Sequence, residues 1–178
     1  ITLHVPYTEQ TANILSRENI AKLKPGVRVI NCARGGLVDE AALAEALARA
    51  KARHGFAVLY DCHSIRSEVP FLFAGVLPDF NIGTNLGTTC AASIEAGVLA
   101  RCKATGRSHV LNGRFKGGWT TRHYGQPAQG IHAIQMELAQ STYLAAEAPP
   151  WTYDAARATR LRAQLSDILT FLSHWSPQ

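Results

Sequence analysis

The stretch "GGLVDEAALAEALARAKARHGFAVLYDCHS", residues 35–64, carries the signals of a helix followed by a strand. Asp39 is a suitable N-cap because its carboxylate can accept hydrogen bonds from the first free N–H groups, and Gly55 can take the left-handed conformation that ends a helix. Between them, apolar residues recur at three- and four-residue spacing, and basic residues gather in the last turn. This pattern predicts a helix over about residues 40–54. The apolar run "FAVLY" that follows, up to Asp61, is typical of a strand buried on both faces.

The rest of the chain continues this alternation of strands and helices. Strands are expected in "ITLHV", "PGVRVINCA", "DFNIGTN", "SHVLNGR" and "GIHAIQMELA", and helices in "SRENIAKLK", "AASIEAGVLARCKAT" and the run from Ala155 to about Trp175. Residues 64–78, the Gly-rich basic stretch "FKGGWTTRHYG" and the Pro-rich "EAPPWTYD" are expected to be loops. The alternation predicts a single α/β domain over residues 1–178, a three-layer sandwich on a largely parallel sheet that can also be mixed.

Composition excludes several classes of protein. The 178 residues suit one domain, and no apolar run approaches the roughly 20 residues that span a bilayer, so no membrane role is expected. The four cysteines lie far apart without CxxC spacing, which predicts reduced thiols and a cytoplasmic protein. The formal net charge is +5, and residues 101–122 hold six Lys or Arg and no acid. This segment is either a solvated basic face or a site for a small anion; aromatic residues are too sparse in it to predict nucleic-acid binding.

The first part of the chain resembles the NAD domain of D-3-phosphoglycerate dehydrogenases and related D-2-hydroxyacid dehydrogenases. The resemblance rests on "ITLHVPYTEQTANILSRENIAKLKPGVRVINCARGGLVDEAALAEALA", residues 1 to about 50. It implies a Rossmann-like half in which Pro6 and Thr8 line a cofactor site and Arg34 holds a substrate carboxylate. The sequence contains no GxGxxG turn to hold a pyrophosphate. We therefore expect these three residues to be vestigial and NAD not to bind.

The remainder, from about residue 51 to 178, resembles the C-terminal half of the N-formylglutamate amidohydrolases, relatives of the zinc carboxypeptidases. The resemblance rests on "ARHGFAVLYDCHSIRSEVP", "LPDFNIGT", "SHVLNGRFKGGWTTRHYGQPAQGIHAIQMELAQSTY" and "PPWTYD". It implies a zinc-bound water that attacks the formamide, with His63 as a zinc ligand and Glu137 as the general base. It also implies cationic anchors for a small dicarboxylate substrate, namely Arg66, Arg114, Lys116 and Arg122.

One inherited histidine is too few for a catalytic zinc, which generally has three protein ligands. Candidates to complete the set are His4, Asp61, His123 and His132, but their spacing matches no metal motif. We therefore expect no cofactor, or zinc if the amidohydrolase site is retained. The alternatives are that His132 is satisfied in the core and that Glu137 is solvated.

We interpret the chain as a chimera of the two families, engineered or, alternatively, a natural mosaic, with its seam within helix 40–54. The leading hypothesis is a folded protein without efficient catalysis. The alternative is a zinc-dependent amidohydrolase that releases formate from N-formylglutamate, and a further alternative is an anion or nucleotide binder. A homodimer could cover apolar surface at the seam.

Overall fold

The computed structural model describes residues 2–3, 8–22, 30–31 and 36–177. Helices and strands alternate along these ranges, as the sequence predicts. The helices are α1 (Arg17–Ala21), α2 (Glu40–His54), α3 (Ala92–Ala104), α4 (Trp119–Tyr124) and α5 (Ala155–His174). The strands are β1 (Thr2–Leu3), β2 (Ile30–Asn31), β3 (Ala57–Ile65), β4 (Phe80–Gly83), β5 (His109–Leu111) and β6 (Ile131–Ala139).

Helix α2 has the bounds that its capping signals predict. The Asp39 carboxylate accepts a hydrogen bond from the N–H of Ala42 at 3.1 Å. At the other end Gly55 has φ 82° and donates its N–H to the carbonyl of Lys51. Leu47 on the inner face is buried. Local signals therefore fix this helix, and burial of one face holds it in place.

The main sheet has four strands in the order β3-β6-β4-β5. Strand β3 pairs with β6 in parallel and β4 with β5 in parallel, whereas β4 and β6 are antiparallel. The sheet is therefore mixed, with parallel pairs predominating. Strands β1 and β2 form a separate parallel pair, and β2 contacts β3.

Helices cover both faces of the main sheet, which gives the three layers expected. Successive side chains of a strand point to opposite faces. Val58 and Tyr60 accordingly join the larger core cluster with residues of α3 and α5. Ala57 and Leu59 join a second cluster that also contains Leu47 of α2 and residues of α4.

The predicted end of strand β3 is wrong. The strand continues past Tyr60 to Ile65, in register with β6 from the pair Ala57 and Ile131 to the pair Ile65 and Ala139. It is also mostly half-buried, whereas β4 is buried throughout. Strand β3 lies at the end of the four-strand order, so it is only half-buried. Its polar residues after Tyr60, which the hydrophobic pattern alone would place in a loop, stay in the strand because they pair with β6.

The predicted loop "FKGGWTTRHYG" is also wrong in part, because it contains α4. Six residues are too few for a helix that is stable alone. The helix is held by tertiary contacts: Thr121 is fully buried, and Tyr124 packs with Leu47 and Ala57. The Tyr124 hydroxyl also donates a hydrogen bond to the carbonyl of Glu40 at 3.1 Å.

The first part of the chain is described only in pieces. Of the strands expected in "ITLHV" and "PGVRVINCA", only β1 and β2 lie within the described residues. A small cluster of Leu15 and Leu37, with Ile20 and Val38 beside them, packs next to α1. None of the three cysteines in the described part forms a disulfide. Among the described helices, none has the length and apolar character to cross a membrane.

Candidate functional site

Polar side chains of two paired strands share one face of the sheet. Asp61 and His63 of β3 lie opposite Gln135 and Glu137 of β6, respectively. Paired strands are about 4.8 Å apart, and residues two positions apart point the same way. The four side chains therefore form a compact group on the face that α4 covers.

The His63 ring is held by Asp61. Its Nε2 lies 2.9 Å from Asp61 Oδ1, and the hydroxyl of Thr121 donates to the other carboxylate oxygen at 2.9 Å. The hydrogen bond to Asp61 is the largest influence on the His63 pKa and raises it; burial opposes this, and the charges of Asp61 and Glu137 add to the rise. The contact with Asp61 engages Nε2, so Nδ1 is the ring nitrogen that can meet a further group.

Glu137 is buried, with a relative exposure of 6%. Burial is the main cause that raises the pKa of its carboxyl to about 7; His63 lowers it, Asp61 raises it, and a hydrogen bond from Gln135 lowers it. The Gln135 side-chain N–H lies 3.4 Å from Glu137 Oε2. A carboxyl with a pKa near neutrality can both take up and release a proton at physiological pH. The alternative that Glu137 is solvated is therefore wrong.

The loop before α4 comes close to this group. The N–H of Gly118 donates to the side-chain carbonyl of Gln135 at 2.5 Å. The loop passes over Gly83 of β4, where an added Cβ would lie 2.6 Å from the nitrogen of Gly117. Only a glycine at position 83 allows the backbone this approach. Lys116 belongs to this loop, and Arg122 follows it in α4.

The four predicted substrate cations are all exposed. The guanidinium of Arg122 donates to the carbonyl of Gly117 at 2.6 Å, and that of Arg114 donates to the carbonyl of Leu72 at 3.2 Å. Within the described part of the chain, the side chains of Arg66 and Lys116 make no hydrogen bond or ion pair. Arg66 follows the last residue of β3.

The basic segment 101–122 divides into three parts: two arginines paired with acids, the exposed Lys103 of α3, and the cations from Arg114 onwards. Arg101 lies 3.5 Å from a carboxylate oxygen of Asp167 and 4.1 Å from the ring centre of Phe171. Arg107 lies 3.5 Å from a carboxylate oxygen of Asp79. These two cations are therefore engaged in packing the fold, and those from position 114 onwards lie in the loop before α4 and in α4 itself.

Within the described part of the chain, no three or more His, Cys, Asp and Glu side chains form a group that could hold a metal. His123 stacks on Trp119 at 4.3 Å. His132 is buried, and its Nδ1 accepts a hydrogen bond from the N–H of Ala91 at 3.2 Å, as the core alternative predicts. His4 lies outside the described residues.

Two of the three residues assigned to the dehydrogenase cofactor site, Pro6 and Arg34, also lie outside the described residues. Thr8 is exposed, and its N–H donates to the hydroxyl of Thr11 at 2.7 Å. Its hydrogen bonds to other described residues are with Thr11 and Ala12, not with the group around Glu137.

Sequence reasoning did not identify Gln135, Thr121 or Gly83 as part of the site. Gln135 could have been found, because it lies two residues before Glu137 in a predicted strand and must share its face. Thr121 and Gly83 carry no such signal, since their roles depend on contacts with distant segments.

Comparisons with known proteins match both parts of the chain. The model of the N-formylglutamate amidohydrolase family matches residues 40–144, and that of the D-isomer specific 2-hydroxyacid dehydrogenase NAD binding domain matches residues 1–62. The N-formylglutamate deformylase of Pseudomonas aeruginosa is 55% identical over 134 residues, which are 75% of this chain and 50% of that protein. The D-3-phosphoglycerate dehydrogenase of Bacillus subtilis is 64% identical over 47 residues, 26% of this chain and 9% of that protein.

A crystal structure of N-formylglutamate amidohydrolase from Ralstonia eutropha JMP134 superimposes with a TM-score of 0.64 at 24% identity, over 76% of this chain and 49% of that one. This likeness shows the fold. The chain belongs to the N-formylglutamate amidohydrolase family, and it spans about half the length of the deformylase and the amidohydrolase that it matches. Both resemblances seen in the sequence are confirmed. The matches of the two family models overlap on residues 40–62, which include α2.

Proposed function

We propose that this chain has the chemistry of an N-formylglutamate deformylase, the hydrolysis of N-formylglutamate to formate and glutamate. The observation that carries the proposal is the buried carboxyl of Glu137, with a pKa of about 7, opposite His63 on the paired strand. The name of the Pseudomonas aeruginosa relative supplies the substrate.

Glu137 is the general base of the proposed reaction. Its carboxylate takes a proton from water as the water oxygen adds to the formyl carbon. The protonated carboxyl then gives the proton to the amide nitrogen as the C–N bond breaks. Proton transfer of this kind contributes about 10²–10⁴-fold to a rate, and a pKa near the working pH suits both directions.

His63 supplies positive charge beside the reacting carbon. Asp61 holds its Nε2, so its Nδ1 side is the one that can face the oxygen on which negative charge develops. Thr121 holds Asp61 in turn. In this arrangement Asp61 and Thr121 are positioning residues, because they act through the ring.

The two carboxylates of the substrate require cations. Lys116 and Arg122 lie on the loop and helix that contact the Gln135 side of the site, and Arg66 follows the strand that carries His63. Arg114 instead donates to the carbonyl of Leu72. Zinc dependence, and the Rossmann-like and carboxypeptidase-like character of the two halves, stay predictions. No step is assigned to a metal, because the described residues hold no group of three or more metal-binding side chains.

Formate release from N-formylglutamate tests the proposal. We expect turnover that falls at least about 100-fold in Glu137→Gln, which keeps the shape but cannot carry the proton. Glu68→Gln is the matched control, because Glu68 is exposed and lies outside the site. Turnover that is equal in the two variants would refute the role of Glu137.

The second candidate is a folded chimera, engineered or natural, without efficient catalysis. It is favoured by one observation: the described residues hold no group of three or more metal-binding side chains. Turnover of roughly 1 per second or more would exclude it. Binding without turnover would instead indicate an anion or nucleotide binder, and NAD, phosphate or glutamate at 100 times its dissociation constant would then stabilise the protein by about 2.7 kcal/mol.

A further inference from the structure

A cavity of about 250 Å³ lies on the face of the sheet opposite to Glu137, between strand β3 and helix α5. Its lining is almost wholly apolar or aromatic. Among the described residues that line it, His63 is the one that the proposed hydrolysis also uses.

The floor of the cavity is formed by alternate residues of two paired strands. Tyr60, Cys62 and Ser64 of β3 line it, as do Met136 and Leu138 of β6. Cys62 pairs with Met136 and Ser64 with Leu138. The floor therefore lies on two hydrogen-bonded strands, which are rigid. Like most ligand-binding sites, it is formed before a ligand binds.

The wall of the cavity is one stripe of α5. Leu161, Leu165 and Leu169 line it at four-residue spacing, which places them in a row on one side of the helix. Arg162 lies next to this row and also lines the cavity. Its guanidinium lies 3.4 Å from the hydroxyl of Tyr153, another lining residue.

The distribution of charge in the cavity defines the ligand. Among the described residues that line the cavity, Arg162 alone has a permanent charge, and His63 is the one other group that can become cationic. The hydroxyls of Ser64 and Tyr143 lie 2.8 Å apart and bond to each other. The cavity therefore suits a ligand with an apolar chain, which would contact the apolar lining, and with one anionic group, which would pair with Arg162.

We propose that this cavity binds a monocarboxylate with an unbranched apolar tail, the tail between β3 and α5 and the carboxylate on Arg162. Arginine suits the carboxylate because its planar donors match the two oxygens. A dicarboxylate such as N-formylglutamate is not expected here, since its second charge would be buried in an apolar lining at high cost in free energy. The inference does not depend on the proposed hydrolysis.

Calorimetric titration with octanoate at pH 8 tests the proposal, with octanol and octylamine as comparators of similar tail length. We expect saturable binding of one octanoate per chain, and binding of the two comparators at least tenfold weaker. Equal binding of octanol or octylamine would overturn the role of the cation. Absence of saturable octanoate binding would overturn the site.

Variants locate the site on the protein. Arg162→Gln is expected to weaken octanoate binding at least tenfold, and Arg160→Gln, an exposed arginine of the same helix outside the lining, to leave it unchanged. Leu165→Trp is expected to fill the cavity and weaken binding, with circular dichroism as the check on folding. Glu137→Gln is expected to bind octanoate as the parent does. Loss of binding in Arg160→Gln or Glu137→Gln, or retention in Arg162→Gln, would refute the assignment.

Discussion

Replacement of Glu137 by glutamine is expected to stabilise this protein at alkaline pH while it removes the proposed general base. The carboxyl is buried, and its pKa is raised from 4.5 to about 7, mainly by burial. Because the pKa of Glu137 is higher in the folded state than in the unfolded state, the folded protein binds the proton of this carboxyl more tightly. Ionisation of Glu137 therefore opposes folding.

The sign and size of the effect follow from the two pKa values. At pH 4 the carboxyl is largely protonated in both states, and its titration makes little contribution. As the pH rises from 4.5 to 7 the unfolded chain loses the proton first, so the free energy of unfolding falls; above 7 the cost is complete. At about 1.36 kcal/mol per pKa unit, the cost reaches about 3 kcal/mol at pH 8. Glutamine cannot ionise and so avoids this cost; the attraction that Glu137 has for His63 is already included in the pKa of about 7.

Urea unfolding of the parent and of Glu137→Gln at pH 5 and pH 8 measures this difference. We expect Glu137→Gln to exceed the parent by up to about 3 kcal/mol at pH 8 and by much less at pH 5. Glu68→Gln, at an exposed position, is expected to follow the parent at both values. A difference between Glu137→Gln and the parent that is the same at pH 5 and pH 8 would refute the burial argument.

Three further predictions concern the seam helix, the loop and the metal. Asp39→Ala removes the cap acceptor of α2 and is expected to lower the free energy of unfolding by about 0.5–2 kcal/mol; an unchanged urea midpoint would contradict this. Gly83→Ala forces a Cβ against Gly117 and is expected to cost about 1–3 kcal/mol and to reduce formate release; an unchanged melting temperature would contradict the close approach. After zinc loading and dialysis, elemental analysis is expected to find well below one zinc per chain, and stoichiometric zinc that His63→Ala abolishes would show this to be wrong.

Much of the fold was predictable because its signals lie close together in the sequence. The caps Asp39 and Gly55 set the bounds of α2, and the alternation around Glu137 set the strand that carries it. The site was predictable in part: resemblance named His63 and Glu137, and the strand pairing places them opposite each other.

The sequence by itself determined the helices, most strand positions and the residue types of the site, since capping and periodicity act between neighbours in the chain. Only the tertiary structure decided that β6 lies between β3 and β4, that α4 forms in a Gly-rich stretch, and that the Glu137 carboxyl is buried. The physical reason is distance along the chain. Asp61 and Thr121, whose hydrogen bond ties α4 to the site, are 60 residues apart, and no local pattern at either residue specifies that contact.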